Sequence, residues 1–116
     1  VSIVRIDPGA RFASAVVHRG LVYLAGHVAH DGDAGVREQT RECLESIDRH
    51  LAEAGTDKSR LLTVQIFLSD IGHFDEMNAA WDAWVDKSNL PARATVEARL
   101  ASPAYKVEIA GIAALE

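Results

Sequence analysis

Cysteine is nearly missing from this chain. Cys43 is the only one in 116 residues, which excludes an intrachain disulfide and makes a reducing, cytoplasmic setting the expectation. With three prolines and eight scattered glycines, the chain has no collagen-like repeat, no low-complexity tract and no linker dividing it. No apolar run approaches the roughly 18 residues of a membrane span, and the opening VSIVRID lacks the apolar block of a signal peptide. Basic charge is in deficit: 12 Lys and Arg stand against 17 Asp and Glu, a net charge of −5. An acidic chain without a basic stripe is poorly suited to phosphate backbones, so neither a nucleic-acid nor a membrane partner is expected. A P-loop, a G-x-G-x-x-G and a G-x-S-x-G are all absent.

What remains is ordinary globular material, 48% hydrophobic and 25% charged, of a length typical for a single domain spanning 1–116. So small a domain has a modest core, and oligomerisation would help it. Ser2 to Asp7 reads as a short first strand, and Val16 to Val28 as a hairpin turning at His18-Arg19-Gly20. From Val36, the positions Thr40, Cys43, Leu44, Ile47, Leu51 and Ala54 recur at helical spacing, and Gly55 ends the helix as a left-handed cap would. LLTVQIFLSD (61–70) has strand composition. Phe74, Met77, Trp81, Trp84 and Val85 form the stripe of a second helix. Ala92 to Leu100 and Tyr105 to Ala114 alternate as strands. The order β-β-β-α-β-α-β-β favours an α+β fold over a doubly wound parallel sheet.

Alternation also divides each strand into two faces. Leu62, Val64, Ile66 and Leu68 oppose Thr63, Gln65, Phe67 and Ser69, while Ala94, Val96, Ala98 and Leu100 oppose Arg93, Thr95, Glu97 and Arg99. Two helices cover one face, and the semi-polar sets are assigned to the other. That second face is either solvated or packed against other subunits.

Single residues admit paired readings. Arg93, opening a strand after Pro91 and Ala92, is a surface arginine or a two-bond clamp for a carboxylate. Glu108, in VEIAGIA, is a solvated strand glutamate, or it is paired with an arginine or positions a proton or water. Ala25 and Gly26 prepare a turn or let backbone N–H groups approach a ligand. His27 and His30 show an H-x-x-H spacing on a strand end and loop, without acidic or cysteine partners at a recognised metal spacing, so no metal site is expected. His18, His50 and His73 are expected at exposed positions, and Cys43 in packing.

The runs LPARATVEARL (90–100), YKVEI (105–109) and Ile112-Ala113 resemble the closing signature of the Rid family. Its members are reactive-intermediate deaminases, also called YjgF-like or endoribonuclease L-PSP proteins. Gln39-Thr40, Glu53 to Gly55, Lys58-Ser59 and Met77-Asn78 fit the same pattern, while IVRID (3–7) and MNAAWDAWV (77–85) look most like its YoaB-like branch. The resemblance implies a chorismate-mutase-like fold in a homotrimer, with sheets inside, helices outside and a site in each cleft between subunits. It implies hydrolysis of 2-imino or enamine acids to 2-oxo acids and ammonia, with no cofactor and no metal. Carried over by position, Arg93 clamps the substrate carboxylate, Glu108 serves the attacking water, and Thr95 and Asn78 line the site. Phe12 and Ala25 stand where the best-known branch has tyrosine and serine, so two hydroxyls are missing from the expected pocket. Gly26 adjoins them. The same pocket without those hydroxyls also fits a non-catalytic trimeric binder of small carboxylates, and the family's older label raises a ribonuclease, which the acidic balance opposes.

Overall fold

The chain folds around a six-stranded mixed sheet with both helices on one face, as described for residues 2–116 by a computed structural model; Val1 lies outside the described residues. The strands are β1 (Val4–Pro8), β2 (Ala13–His18), β3 (Leu21–His27), β4 (Leu61–Leu68), β5 (Ala92–Glu97) and β6 (Val107–Ala114). The helices are α1 (Val36–Ala54) and α2 (Phe74–Trp84), with short 3₁₀ turns at Lys58–Arg60 and Ile71–His73. This is the expected α+β order. Spatially the strands run β1-β2-β3-β6-β4-β5, antiparallel except for the parallel β4–β5 pair that places β5 at an edge. Among the described residues, no helix is long and apolar enough to cross a membrane.

α1 forms because its apolar positions share one stripe, and Cys43, Leu44, Ile47 and Leu51 are all buried. Gly55 stops it at φ 93°, donating to Ala52 while Thr56 donates to Leu51, the Schellman closure that a residue without Cβ accommodates. The core lies between α1, α2 and the sheet, with Val64, Ile66, Leu68, Val107 and Ile109 from the central strands against Met77 and Trp81. Cys43 packs there too, and burial pushes its thiol up to about 12, which removes it as a nucleophile at neutral pH. Ile66 is fully buried. Ile66→Ala is expected to lower the unfolding free energy by about 2–5 kcal/mol, read from urea denaturation as a shifted midpoint at constant slope.

Two expected face assignments are corrected. Leu62 is exposed, not core, because the β4–β6 register shifts between Leu61 and Thr63 and gives Leu61 the buried place. On β5 the faces are inverted. Parallel pairing sets Arg93 beside Val64 and Thr95 beside Ile66, so the polar residues look toward the helices, while Ala94 and Val96 look away. β5 also ends at Glu97, short of the expected Leu100. The face away from the helices carries Tyr23 (43% exposed) and Val96 (48%), together with Phe67 and Ile112.

Candidate functional site

Arg93 enters at the start of the edge strand and reaches α2. Its Nη1 donates to Asn78 Oδ1 at 2.8 Å, and its guanidinium lies 5.2 Å from the Trp81 ring centre and 5.7 Å from that of Phe74. Stacking on two aromatic faces and one side-chain acceptor fix the plane of the guanidinium, leaving the rest of its fork for a ligand. Burial lowers its pKa from the usual arginine value, opposed by the charge of Asp82, and the group stays cationic. Two residues along β5, Thr95 carries a buried hydroxyl with no hydrogen-bond partner among the described residues. Arg93, Asn78 and Thr95, all expected at the site, are therefore grouped on the helix side of the sheet. Phe74 and Trp81 hold Arg93 in place; as apolar stripe positions they carried no signal of that role.

Glu108 belongs to the other group. It pairs with Phe67 across β6–β4, on the face away from the helices, and lines a cavity of about 400 Å³ with Phe12, Ala25, Gly26, Val28, Ala101 and Tyr105. Gly26 leaves the space that the Glu108 side chain occupies. A Cβ there would lie 2.8 Å from the Glu108 carboxyl carbon, so the close approach foreseen at Ala25-Gly26 is made by Glu108 itself. An irregularity in the β3–β6 pairing between Leu24 and His27 turns this segment toward β6. Phe12, two-thirds exposed, contributes a ring and no hydroxyl, and Ala25 a methyl. A wider groove of about 700 Å³ adjoins, sharing Ala101 and Tyr105 and lined also by Arg99 and Glu97.

Tyr105 is placed here by a residue that spacing alone left without a role. Gln39, fully buried in the first turns of α1, donates from Nε2 to the carbonyls of Ala34 and Ala104 and accepts at Oε1 from the Lys106 N–H. It pins the segment leading into β6, and so the entry of Glu108.

Within one chain the two groups do not meet. Arg93 is level with Val64 and Gly111, and Glu108 with Phe67, two strands over and three residues along. At about 3.3 Å per residue and 4.8 Å per strand, their Cα atoms are about 14 Å apart, with the side chains on opposite faces. A ligand touching both needs Arg93 and Glu108 from different copies.

The histidines are less exposed than expected: His18 and His73 are half-buried, and His73 Nδ1 is buried with no hydrogen-bond partner among the described residues. His50 is 4% exposed, because α1 lays it against His27, with ring centres 4.9 Å apart. Burial, then the neighbouring His50, pushes the pKa of His27 down to about 4, so it is neutral at pH 7.

Comparison with known proteins places this arrangement in a group. The family model described as "Endoribonuclease L-PSP" matches residues 2–115. A RutC family protein of Haemophilus ducreyi is 44% identical over 113 residues, covering 97% of each chain. The RutC family protein YoaB of Escherichia coli is 45% identical over 115 residues, 99% of this chain and all of that one. In structure, a YjgF-family protein from Neisseria meningitidis superposes with a TM-score of 0.95 at 44% identity, over 99% of this chain and 96% of that one.

Proposed function

Because the chain belongs to the endoribonuclease L-PSP family, which includes YjgF and RutC proteins, we propose that it hydrolyses small 2-imino or enamine acids to 2-oxo acids and ammonia. The observation carrying this reading is the division of labour between the two groups. An oriented guanidinium suits a carboxylate, and a carboxylate in a small, largely apolar cavity suits proton transfer to and from water. A 2-imino acid presents both needs, a carboxylate next to an electrophilic C=N carbon. Arg93 holds the carboxylate. Water adds to the C=N carbon as Glu108 accepts one of its protons and passes it to nitrogen; the added hydroxyl then gives its proton through Glu108 to the amine as the C–N bond breaks, releasing ammonia and the 2-oxo acid. No covalent intermediate with the protein is required, and positioning supplies part of the rate.

The same reading calls for a homotrimer in which Arg93, Asn78 and Thr95 of one copy face Glu108, Gly26, Ala25 and Phe12 of the next. The open apolar sheet face supports it. Light scattering at micromolar concentration is expected to give three times the 12.5 kDa chain mass; a monomer would leave Arg93 and Glu108 apart and remove the site.

Turnover is tested with imino acids generated in the assay by an amino-acid oxidase, following release of the 2-oxo acid above the spontaneous rate. Phe12 and Ala25 favour one other reading. A cavity wall that lacks hydroxyls at positions 12 and 25 also suits a binder that captures small carboxylates without converting them. In that case 2-oxo acids bind by calorimetry while imine decay is not accelerated.

A further inference from the structure

A third cavity, of about 320 Å³, shares Phe12, Gly26 and Val28 with the Glu108 cavity and is lined on its far side by Asp7, Ser46 and His50. The reaction proposed above uses none of these three. His50 Nδ1 lies 2.7 Å from the Ser46 carbonyl oxygen. A carbonyl only accepts, so Nδ1 carries the hydrogen, and in the neutral ring Nε2 is a bare lone pair. Yet Nε2 faces another acceptor, Asp7 Oδ2, at 3.3 Å. Two acceptors at that distance need a proton or a cation between them. Glu53, three residues after His50 and on the same side of α1, adds a second carboxylate. One ligand atom each from Asp7, His50 and Glu53 lies within 4.8 Å of the others.

We infer that Asp7, His50 and Glu53 form a site for a divalent transition ion of the zinc type. A proton on Nε2 would satisfy the His50–Asp7 pair alone, whereas a divalent cation satisfies all three groups. Tetrahedral bonds of about 2.0–2.2 Å place neighbouring ligand atoms about 3.3–3.6 Å apart. His50 and Asp7 already have that spacing, and Glu53 closes the remainder by rotating an exposed side chain. The Nδ1–H to carbonyl bond is the outer support a metal-bound imidazole takes, fixing its tautomer. One imidazole with two carboxylates selects zinc-like ions over magnesium, which prefers oxygen and water. Arg49 also lines the cavity, and the two carboxylates offset its charge. The ion would clip the end of β1 to the last turns of α1, behind the wall carrying Phe12 and Gly26. This inference stands apart from the imine reading.

The test titrates zinc chloride into the full, chelator-stripped chain by calorimetry at about pH 7.5, where metal ligands are largely deprotonated, with metal analysis after gel filtration. One ion per chain at micromolar Kd or tighter is expected, with magnesium at least about a hundredfold weaker. Asp7→Asn and Glu53→Gln change exposed groups and leave the fold intact by circular dichroism; each is expected to weaken zinc at least about tenfold. His30→Ala, a nearby histidine outside the cluster, is expected to bind as the parent does. No zinc retained at millimolar concentration, unchanged binding in the Asp7→Asn, Glu53→Gln double variant, or binding lost with His30 would each overturn the assignment.

Discussion

Glu108→Gln is expected to lower kcat by about 10²–10⁴-fold, the usual contribution of a positioned general base, while 2-oxo acids still bind. The amide is nearly the same size as the carboxylate, so the cavity formed with Ala25, Gly26, Val28 and Tyr105 persists. The contact over Gly26 is made by the terminal group of residue 108, and an amide fits there as well as a carboxylate. What is lost is the capacity to accept a proton from water at neutral pH. Interactions made mainly in the transition state appear in kcat, whereas uniform binding appears in KM. Single-turnover rates on imino acids, set beside calorimetric affinities for 2-oxo acids, separate the two. An equal fall in rate and affinity would mean that Glu108 shapes the cleft and does not move the proton.

The elements of this fold are legible in the sequence because local rules decide them. α1 is marked by a 3.6-residue stripe and by a glycine that only a left-handed cap explains, and both ends fall where expected. The orientation of β5 is not local. Alternation separates Arg93 and Thr95 from Ala94 and Val96, but only the register with β4 decides which set meets the helices, and a shift of one residue would reverse it. The burial of Leu61 in place of Leu62 has the same origin, an irregularity between strands distant in sequence. The candidate site was legible as residue types and not as an arrangement. The family resemblance selects Arg93 and Glu108, yet nothing in one chain's spacing shows that they point to opposite faces. Asn78, a whole helix away from β5 in type and position, meets Arg93 only through the packing of α2 on the sheet edge. A place near a helix end predicts exposure for His50; its burial comes from His27 and the Asp7 segment, which no local pattern brings to α1.

Arg93→Lys carries the second large effect, a fall in kcat/KM of about ten- to a hundredfold. Lysine preserves the positive charge and most of the length, so a purely electrostatic role would survive the change. Three geometric features would not. The ammonium offers no planar pair of parallel N–H groups to a carboxylate. It loses the stacking that sets the guanidinium against Trp81 and Phe74. It also cannot donate to Asn78 Oδ1 and hold a ligand in the same fixed plane. A charge-assisted hydrogen bond contributes about 1.5–3 kcal/mol, and about 1.4 kcal/mol corresponds to tenfold in rate, which gives the stated range for one bond of the pair. Because the clamp acts on ground and transition states alike, KM is expected to rise with the affinity for 2-oxo acids falling in parallel, in contrast to Glu108→Gln. The oligomer mass is expected to stay that of the parent, since the substitution leaves the open sheet face untouched. If Arg93→Lys matched the parent in both rate and affinity, the carboxylate would have to be held elsewhere. The Arg99 side of the adjoining groove is then the next cation to test.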